Sequence, residues 1–135
     1  MSESIRVLVV DDNSLFRDAV ANFVSELDSM FVVGRARDGE EALKLVPVLR
    51  PHIVLMDLAM PRLDGIEATR ALKRGNGAPA VIVCTADDDL RLRQEALAAG
   101  ADSFVLKRDL GRTLEALVRT LARPGGRLRR PGGPP

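Results

Sequence analysis

Three aspartates follow two apolar runs of the sequence, and carboxylates placed in this way can hold a metal ion. Asp11 and Asp12 follow the apolar run 5–10, and Asp57 follows the run 53–56. If both runs are neighbouring strands of one sheet, their carboxyl ends bring three carboxylates to the same edge. Carboxylates repel one another, so a folded cluster of three needs a cation. Mg²⁺, which prefers oxygen ligands, is the simplest candidate.

Two more polar residues stand at the ends of apolar runs, Thr85 and Lys107. A carboxylate nucleophile, a divalent cation, an ammonium and a hydroxyl together suit phosphoryl transfer to an aspartate. Each residue alone has an ordinary explanation, because an aspartate after a strand often caps the next helix. A single lysine is usually solvated, and threonine is common in strands. The hypothesis therefore depends on all five residues meeting at one sheet edge.

The order of apolar runs and helical patterns predicts the fold class. Strands are predicted at 5–10, 31–36, 53–57, 80–85 and 103–106, each followed by a helical pattern. Three of the runs are continuous in Val, Ile and Leu, which is typical of parallel strands covered on both faces. The alternation predicts a doubly wound α/β fold of the flavodoxin-like type, with a five-stranded parallel sheet in the order 2-1-3-4-5 and five helices. Strands one and three then flank the usual ligand site.

Composition limits the class of protein. The 135 residues are 46% apolar and 29% charged, which is typical of one globular domain. No apolar run approaches the ~20 residues of a membrane span. With Cys84 as the one cysteine, no internal disulfide can form, and we expect a cytoplasmic protein.

The last thirteen residues differ from the rest. Residues 123–135 contain four arginines, four prolines, four glycines and one leucine. We therefore expect a domain at 1–122 and a disordered tail or linker at 123–135. The tail is interpreted mainly as a solvated spacer, although its arginines could contact nucleic acid or anionic lipid. It could be the natural end of a single-domain protein or a linker to a further domain.

Four stretches of sequence resemble a known family. The strings are VLVVDDN, VLMDLAMPRLDG, VIVCTA and AGADSFVLK. They are similar to the CheY-like receiver domain of bacterial two-component response regulators, and the resemblance covers about residues 5 to 122. The string LKRDL resembles receivers of the LuxR/NarL-type helix-turn-helix subfamily.

The resemblance implies a phosphorylation site with bound Mg²⁺. Asp57 would be the phosphoacceptor. Asp12 and Asp57 would ligate Mg²⁺ directly, and Asp11 partly through water. The backbone carbonyl of Ala59 would complete the protein ligands.

The resemblance also implies a phosphate-binding set and a switch. Thr85, the backbone amide of Ala86 and Lys107 would bind the phosphoryl oxygens. Thr85 and Phe104 would form the switch, although Phe104 also suits a core position. Many receivers have proline after the lysine, with a cis peptide bond, whereas this chain has Arg108. Because a cis bond before a non-proline residue costs about 2.5–4 kcal/mol, we predict a trans Lys107–Arg108 bond.

The function implied by the resemblance is a signalling switch, not a metabolic enzyme. A histidine kinase would donate the phosphoryl group, with autophosphorylation from small donors and autodephosphorylation as intrinsic activities. The face formed by the fourth helix, the fifth strand and the fifth helix would change conformation and could support a homodimer. An output DNA-binding domain would be missing from this chain, so we expect no specific binding of nucleic acid and no membrane contact.

Three alternatives remain open from the sequence. A Mg²⁺-dependent aspartyl-phosphate phosphatase would have its nucleophile in a DxD motif and a substrate-capping insertion, and an FMN carrier would have aromatic residues around the flavin. A degenerate receiver would act only as an interaction module. His52 is interpreted as a turn or edge residue rather than a phosphodonor or ligand, and Cys84 as a small buried hydrophobe.

Overall fold

A parallel sheet of five strands forms the centre of the computed structural model, which describes residues 4–58, 60 and 64–122. The strands are β1 (Ile5–Val10), β2 (Met30–Ala36), β3 (Ile53–Met56), β4 (Ala80–Thr85) and β5 (Ser103–Leu106). All neighbouring strands are parallel, and their order is β2-β1-β3-β4-β5. The predicted fold class and strand order are confirmed.

Each strand is followed by a helix, and each of the first four helices begins with a side-chain cap. The helices are α1 (Ser14–Ser25), α2 (Gly39–Leu49), α3 (Gly65–Leu72), α4 (Leu90–Ala98) and α5 (Leu110–Ala122). The caps of α1 to α4 are Asn13, Asp38, Asp64 and Asp89, whose side chains accept backbone N–H groups of the first turn. These amides have no partner within the helix, so the caps fix where each helix leaves the carboxyl edge of the sheet.

The core has two layers, one on each face of the sheet. Val7 and Val9 of β1 pack in the layer with α1 and α5, whereas Leu8 and Val10 pack in the layer with α2, α3 and α4. This alternation follows from the two-residue period of a strand. The continuous apolar runs of β1, β3 and β4 are thus explained, because both faces of these strands are buried.

Several element boundaries differ by a residue or a turn from the sequence prediction. β2 begins at Met30, which pairs with the first residue of β1. β3 ends at Met56, so Asp57 is the first residue after the strand, although its N–H still donates to Val10 O at 2.9 Å. The segment Lys107–Asp109 forms a 3₁₀ turn before α5. Pro47 lies inside α2, where it removes one amide donor without ending the helix.

The amino-terminal ends of β4 and β5 are tied to α3 by one charged contact. Lys73 Nζ lies 2.9 Å from Asp102 Oδ2 and donates to Pro79 O at 3.1 Å. The same Asp102 oxygen accepts the Val81 N–H at 2.8 Å. Gly100, at φ +110°, leaves room for the lysine, because a Cβ there would stand 2.9 Å from Lys73 Cγ. No helix in the described part of the chain is long and apolar enough to cross a bilayer.

The start of α3 packs directly on the backbone after β3. The Gly65 N–H donates to Leu58 O at 3.1 Å. A Cβ on Gly65 would stand 2.0 Å from the Asp57 carbonyl oxygen and 2.8 Å from Leu58 Cα. No side chain fits at this contact, so the distance between α3 and Asp57 depends on glycine.

We predict that Gly65→Ala lowers the free energy of unfolding by about 2 kcal/mol or more, because the new methyl group meets backbone atoms that cannot rotate away. Urea unfolding followed by circular dichroism measures the change. Gly111→Ala is the matched control, since a Cβ at Gly111 of α5 meets no atom within 4 Å. The control should raise the free energy of unfolding by up to about 1 kcal/mol. Equal effects at the two glycines would contradict the close contact.

Candidate functional site

The three aspartates lie together at the carboxyl edge of the sheet. Asp11 follows β1 and Asp57 follows β3, and these neighbouring strands end in register, with Val10 opposite Met56. One carboxylate oxygen from each of Asp11, Asp12 and Asp57 lies within 4.8 Å of the others. Asp11 and Asp57 are 1% and 5% exposed, whereas Asp12 is exposed to solvent. Strand order thus brings together carboxylates that are far apart in sequence.

The Lys107 ammonium reaches this cluster from the end of β5. Its Nζ lies 2.8 Å from Asp11 Oδ2 and 3.4 Å from Asp57 Oδ1. One ammonium cannot balance three carboxylates, and Asp11 Oδ2 is buried without a hydrogen bond beyond this ion pair. A compact set of carboxylate oxygens with excess negative charge fits a hard divalent cation such as Mg²⁺.

Burial and the Lys107 charge act in opposite directions on the pKa of Asp57. Desolvation raises the pKa of its carboxyl group, the neighbouring Asp11 raises it further, and Lys107 lowers it, which leaves a pKa of about 6. Burial lowers the pKa of the Lys107 ammonium, but Asp11 and Asp57 outweigh that effect and hold the pKa above its usual value. Lys107 therefore stays charged, whereas the ionised form of Asp57 is disfavoured by its surroundings.

The loop after β1 is fixed by contacts that sequence reasoning missed. The Asn13 N–H donates to Asp11 Oδ1 at 2.9 Å, and Arg17 NH1 donates to Asp11 O at 2.8 Å. Asn13 also caps α1, which is a signal that the sequence does carry. Arg17 offers no such signal, because an arginine in a first helical turn usually faces solvent. Asn13 thus orients the Asp11 carboxylate, whereas Arg17 fixes the Asp11 backbone carbonyl.

The remaining residues of the expected set lie on β4 and β5. Thr85 is buried at the end of β4, and its Oγ1 accepts the Asp87 N–H at 3.4 Å. Ala86 follows and is exposed. β4 lies between β3 and β5, so Thr85 stands on the strand between Asp57 and Lys107. Phe104 of β5 is half-buried, with the Arg93 guanidinium 5.1 Å from its ring centre.

Two expectations concern the loops beside the site. Ala59, the expected source of a backbone ligand, lies outside the described residues. The Lys107–Arg108 peptide bond is trans, as predicted. The Arg108 side chain lies 4.0 Å from Asp88 in an exposed ion pair, which is worth little in water.

The sequence predicts structural positions for His52 and Cys84, and both side chains are buried. His52 is buried near the amino-terminal edge of the sheet, where its Nδ1 accepts the Arg6 N–H at 3.0 Å. Its place is structural, and it is more buried than a turn residue. Cys84 is a buried free thiol, and burial raises the pKa of that thiol to about 12. It is therefore inert at neutral pH.

The sequence of this chain is similar to a known protein family and to individual members of it. Residues 7–119 match the model of the response regulator receiver domain family. The response regulator GacA of Pseudomonas viridiflava is 41% identical over 103 residues, which cover 76% of this chain and 48% of GacA. The chain thus spans about half the length of this relative.

Solved structures agree with this match. The receiver domain of the putative response regulator NarL from Mycobacterium tuberculosis aligns with a TM-score of 0.81 and 34% identity, covering 87% of this chain and 95% of that domain. The response regulator domain of Thermotoga maritima CheB aligns with a TM-score of 0.80 and 31% identity, with the same coverage.

We predict that Asp57→Asn stabilises the metal-free protein at about pH 7.5 by about 1–3 kcal/mol. The raised pKa of Asp57 favours the neutral acid in the folded state. The protonated Asp57 side chain therefore stabilises the folded protein fully below the usual pKa of 3.8. This stabilisation is lost as the pH rises through about 6. The gain from the neutral asparagine should therefore be largest above pH 6 and vanish near pH 4.

Urea unfolding of both proteins in EDTA across this pH range measures the difference. Added Mg²⁺ should reduce the gain, because a ligand that binds only the folded wild-type protein stabilises it. Asp18→Asn, at an exposed position of α1, is the control for removing a surface charge. A gain that is the same at every pH would contradict the assignment.

Proposed function

This chain belongs to the response regulator receiver domain family, and from that premise we propose that Asp57 is its phosphoacceptor, with Mg²⁺ as cofactor and a histidine kinase as donor. The observation that carries the proposal is the position of Asp57. It is the first residue after β3, it is buried against Asp11, and it has the Lys107 ammonium 3.4 Å from its Oδ1. A buried carboxylate with adjacent positive charge suits nucleophilic attack on phosphorus.

In the proposed reaction, an Asp57 carboxylate oxygen forms a bond to the phosphorus of the donor. The bond from phosphorus to the donor breaks, and its electron pair leaves with the donor group. The Lys107 ammonium would contact one phosphoryl oxygen as negative charge accumulates. The Thr85 hydroxyl and the Ala86 N–H would donate to others. These groups act through position and charge, as is usual in phosphoryl transfer.

Asp11, Asp12 and Asp57 are the residues that would hold Mg²⁺, together with the backbone carbonyl of Ala59. The cluster supports this assignment because its donors are carboxylate oxygens within 4.8 Å of one another. The ion would neutralise charge on the transferred group and on the aspartates. Asp11 would keep its orientation through Asn13 while the ion is bound.

We propose that phosphorylation shifts an existing equilibrium of the face formed by α4, β5 and α5. Thr85 would move toward the phosphoryl group, and Phe104 would turn into the space that it leaves. Phe104 is half-buried, so an inward turn would bury the part of its ring that is now exposed. Leu90 and Leu97 of α4 are 67% and 47% exposed, which supports this face as a homodimer contact.

Receiver domains work with output domains, and this chain spans about half the length of a matched regulator such as GacA. We propose regulation of transcription in the cytoplasm, through a DNA-binding domain outside this chain. The receiver itself should not bind DNA specifically, and segment 123–135 would serve as a tail or linker.

We predict that acetyl phosphate with Mg²⁺ adds one phosphoryl group to the chain, because the small donor supplies the same leaving-group chemistry as a kinase. Intact mass spectrometry measures the gain. Asp57→Asn should abolish it, and EDTA should prevent it. Lys107→Ala should slow it at least about tenfold, since one charge contact to the transferred group is lost.

Asp18→Asn should leave the rate unchanged, since Asp18 is exposed on α1 outside the aspartate cluster. A phosphoryl group that persists in Asp57→Asn would assign the acceptor to another residue. A wild-type chain that gains no mass would support the degenerate receiver instead.

A further inference from the structure

Lys107 has a third neighbour that the family assignment does not use. Its ammonium lies 4.4 Å from the centre of the Phe16 ring, in addition to its contacts with Asp11 and Asp57. A cation over an aromatic face is attracted by the electron density of the ring, and more strongly where water is excluded. Lys107 is only 22% exposed, so this contact is partly shielded from water.

This contact completes a closed cycle of interactions among Asp11, Asn13, Phe16 and Lys107. Asp11 Oδ1 accepts the Asn13 N–H at 2.9 Å, and Asn13 Oδ1 accepts the Phe16 N–H at 3.0 Å. The Phe16 ring contacts Lys107 Nζ, and Lys107 Nζ lies 2.8 Å from Asp11 Oδ2, which completes the cycle. The first turn of α1 therefore fixes the carboxylate and the ammonium relative to each other.

A lysine needs such help because its side chain is a flexible chain of four carbons that carries a point charge. A carboxylate in the place of the ring would compete with a phosphoryl oxygen for the N–H donors of Lys107. An aromatic ring limits the movement of the ammonium without adding a strong acceptor. Such a ring would keep Lys107 within reach of Asp57 Oδ1.

We propose that Phe16 is a positioning residue for phosphorylation, acting through the contact of its ring with the Lys107 ammonium. The proposal rests on the function assigned above to Asp57 and Lys107. Phe16 is also half-buried against the core layer of α1 and α5. The test must therefore separate attraction by the ring from simple packing.

Fluorination of the ring makes that separation. Phenylalanine with one, two or three fluorines at position 16 keeps nearly the same shape, while each fluorine withdraws electron density from the face. We expect the rate constant for phosphorylation by acetyl phosphate to fall stepwise, by about three- to tenfold for the trifluoro ring. The rate constant should fall at least as far in Phe16→Leu, which has no aromatic ring. It should be unchanged in Phe16→Trp, which keeps one.

Phe23 provides the matched control. It is half-buried in the same core layer on the same helix, and within the described residues no cation stands over its ring. The same fluorinated series at Phe23 should leave the rate unchanged. Equal rates across the series at Phe16, or equal losses at Phe16 and Phe23, would overturn the proposal.

A second measurement does not depend on phosphorylation. The ε-methylene protons of Lys107 should show an upfield ring-current shift in the NMR spectrum, and Phe16→Leu should remove it. Absence of that shift in the wild-type protein overturns the contact itself. If the shift is present but the wild-type chain accepts no phosphoryl group, the proposed function fails while the contact stands, so the two failures are distinguished.

Discussion

The charge contact of Lys107 with Asp11 and Asp57 is the interaction on which the carboxyl edge of the sheet depends. Two carboxylates buried to this degree repel each other and lose hydration, which is costly unless a cation is near. The ammonium lies within 3.4 Å of both and partly relieves that cost. Enough of that cost remains to raise the pKa of Asp57, so the buried carboxylate lowers the stability of the folded protein at neutral pH. The same excess of negative charge favours the binding of a divalent cation at this edge.

The rest of the fold serves to keep these groups at fixed distances. Parallel strands end at one edge, and the order β2-β1-β3-β4-β5 places β1 beside β3 and β5 one strand further. Side-chain caps fix the first turns of α1 to α4 on that edge. Gly65 lets α3 rest on the backbone of Asp57. Rigid elements therefore surround a site that lies on loops, which is typical of α/β proteins.

Much of this arrangement could be predicted from sequence, because apolar runs and polar strand ends are local signals. The five strands, their order and the meeting of Asp11, Asp12 and Asp57 follow from patterns a few residues long. Contacts between distant side chains leave no such pattern. Phe16 belongs to an apolar helical stripe, so the sequence indicates a core residue, and its position over Lys107 emerges only in three dimensions. The raised pKa of Asp57 likewise depends on burial, which spacing does not reveal.

The tie between Lys73 and Asp102 has a consequence for how movement spreads through the domain. It locks the entry of β4, the loop before β5 and the end of α3 into one unit at the edge opposite the aspartates. In the proposed switch, the rearrangement of Thr85 and Phe104 would then pivot about this fixed end, with displacements that grow toward the carboxyl ends of the strands. Small shifts beside the aspartates would tilt α4 instead of sliding it. The direction of the proposed movement would thus be set partly at the edge of the sheet that lies opposite the aspartates.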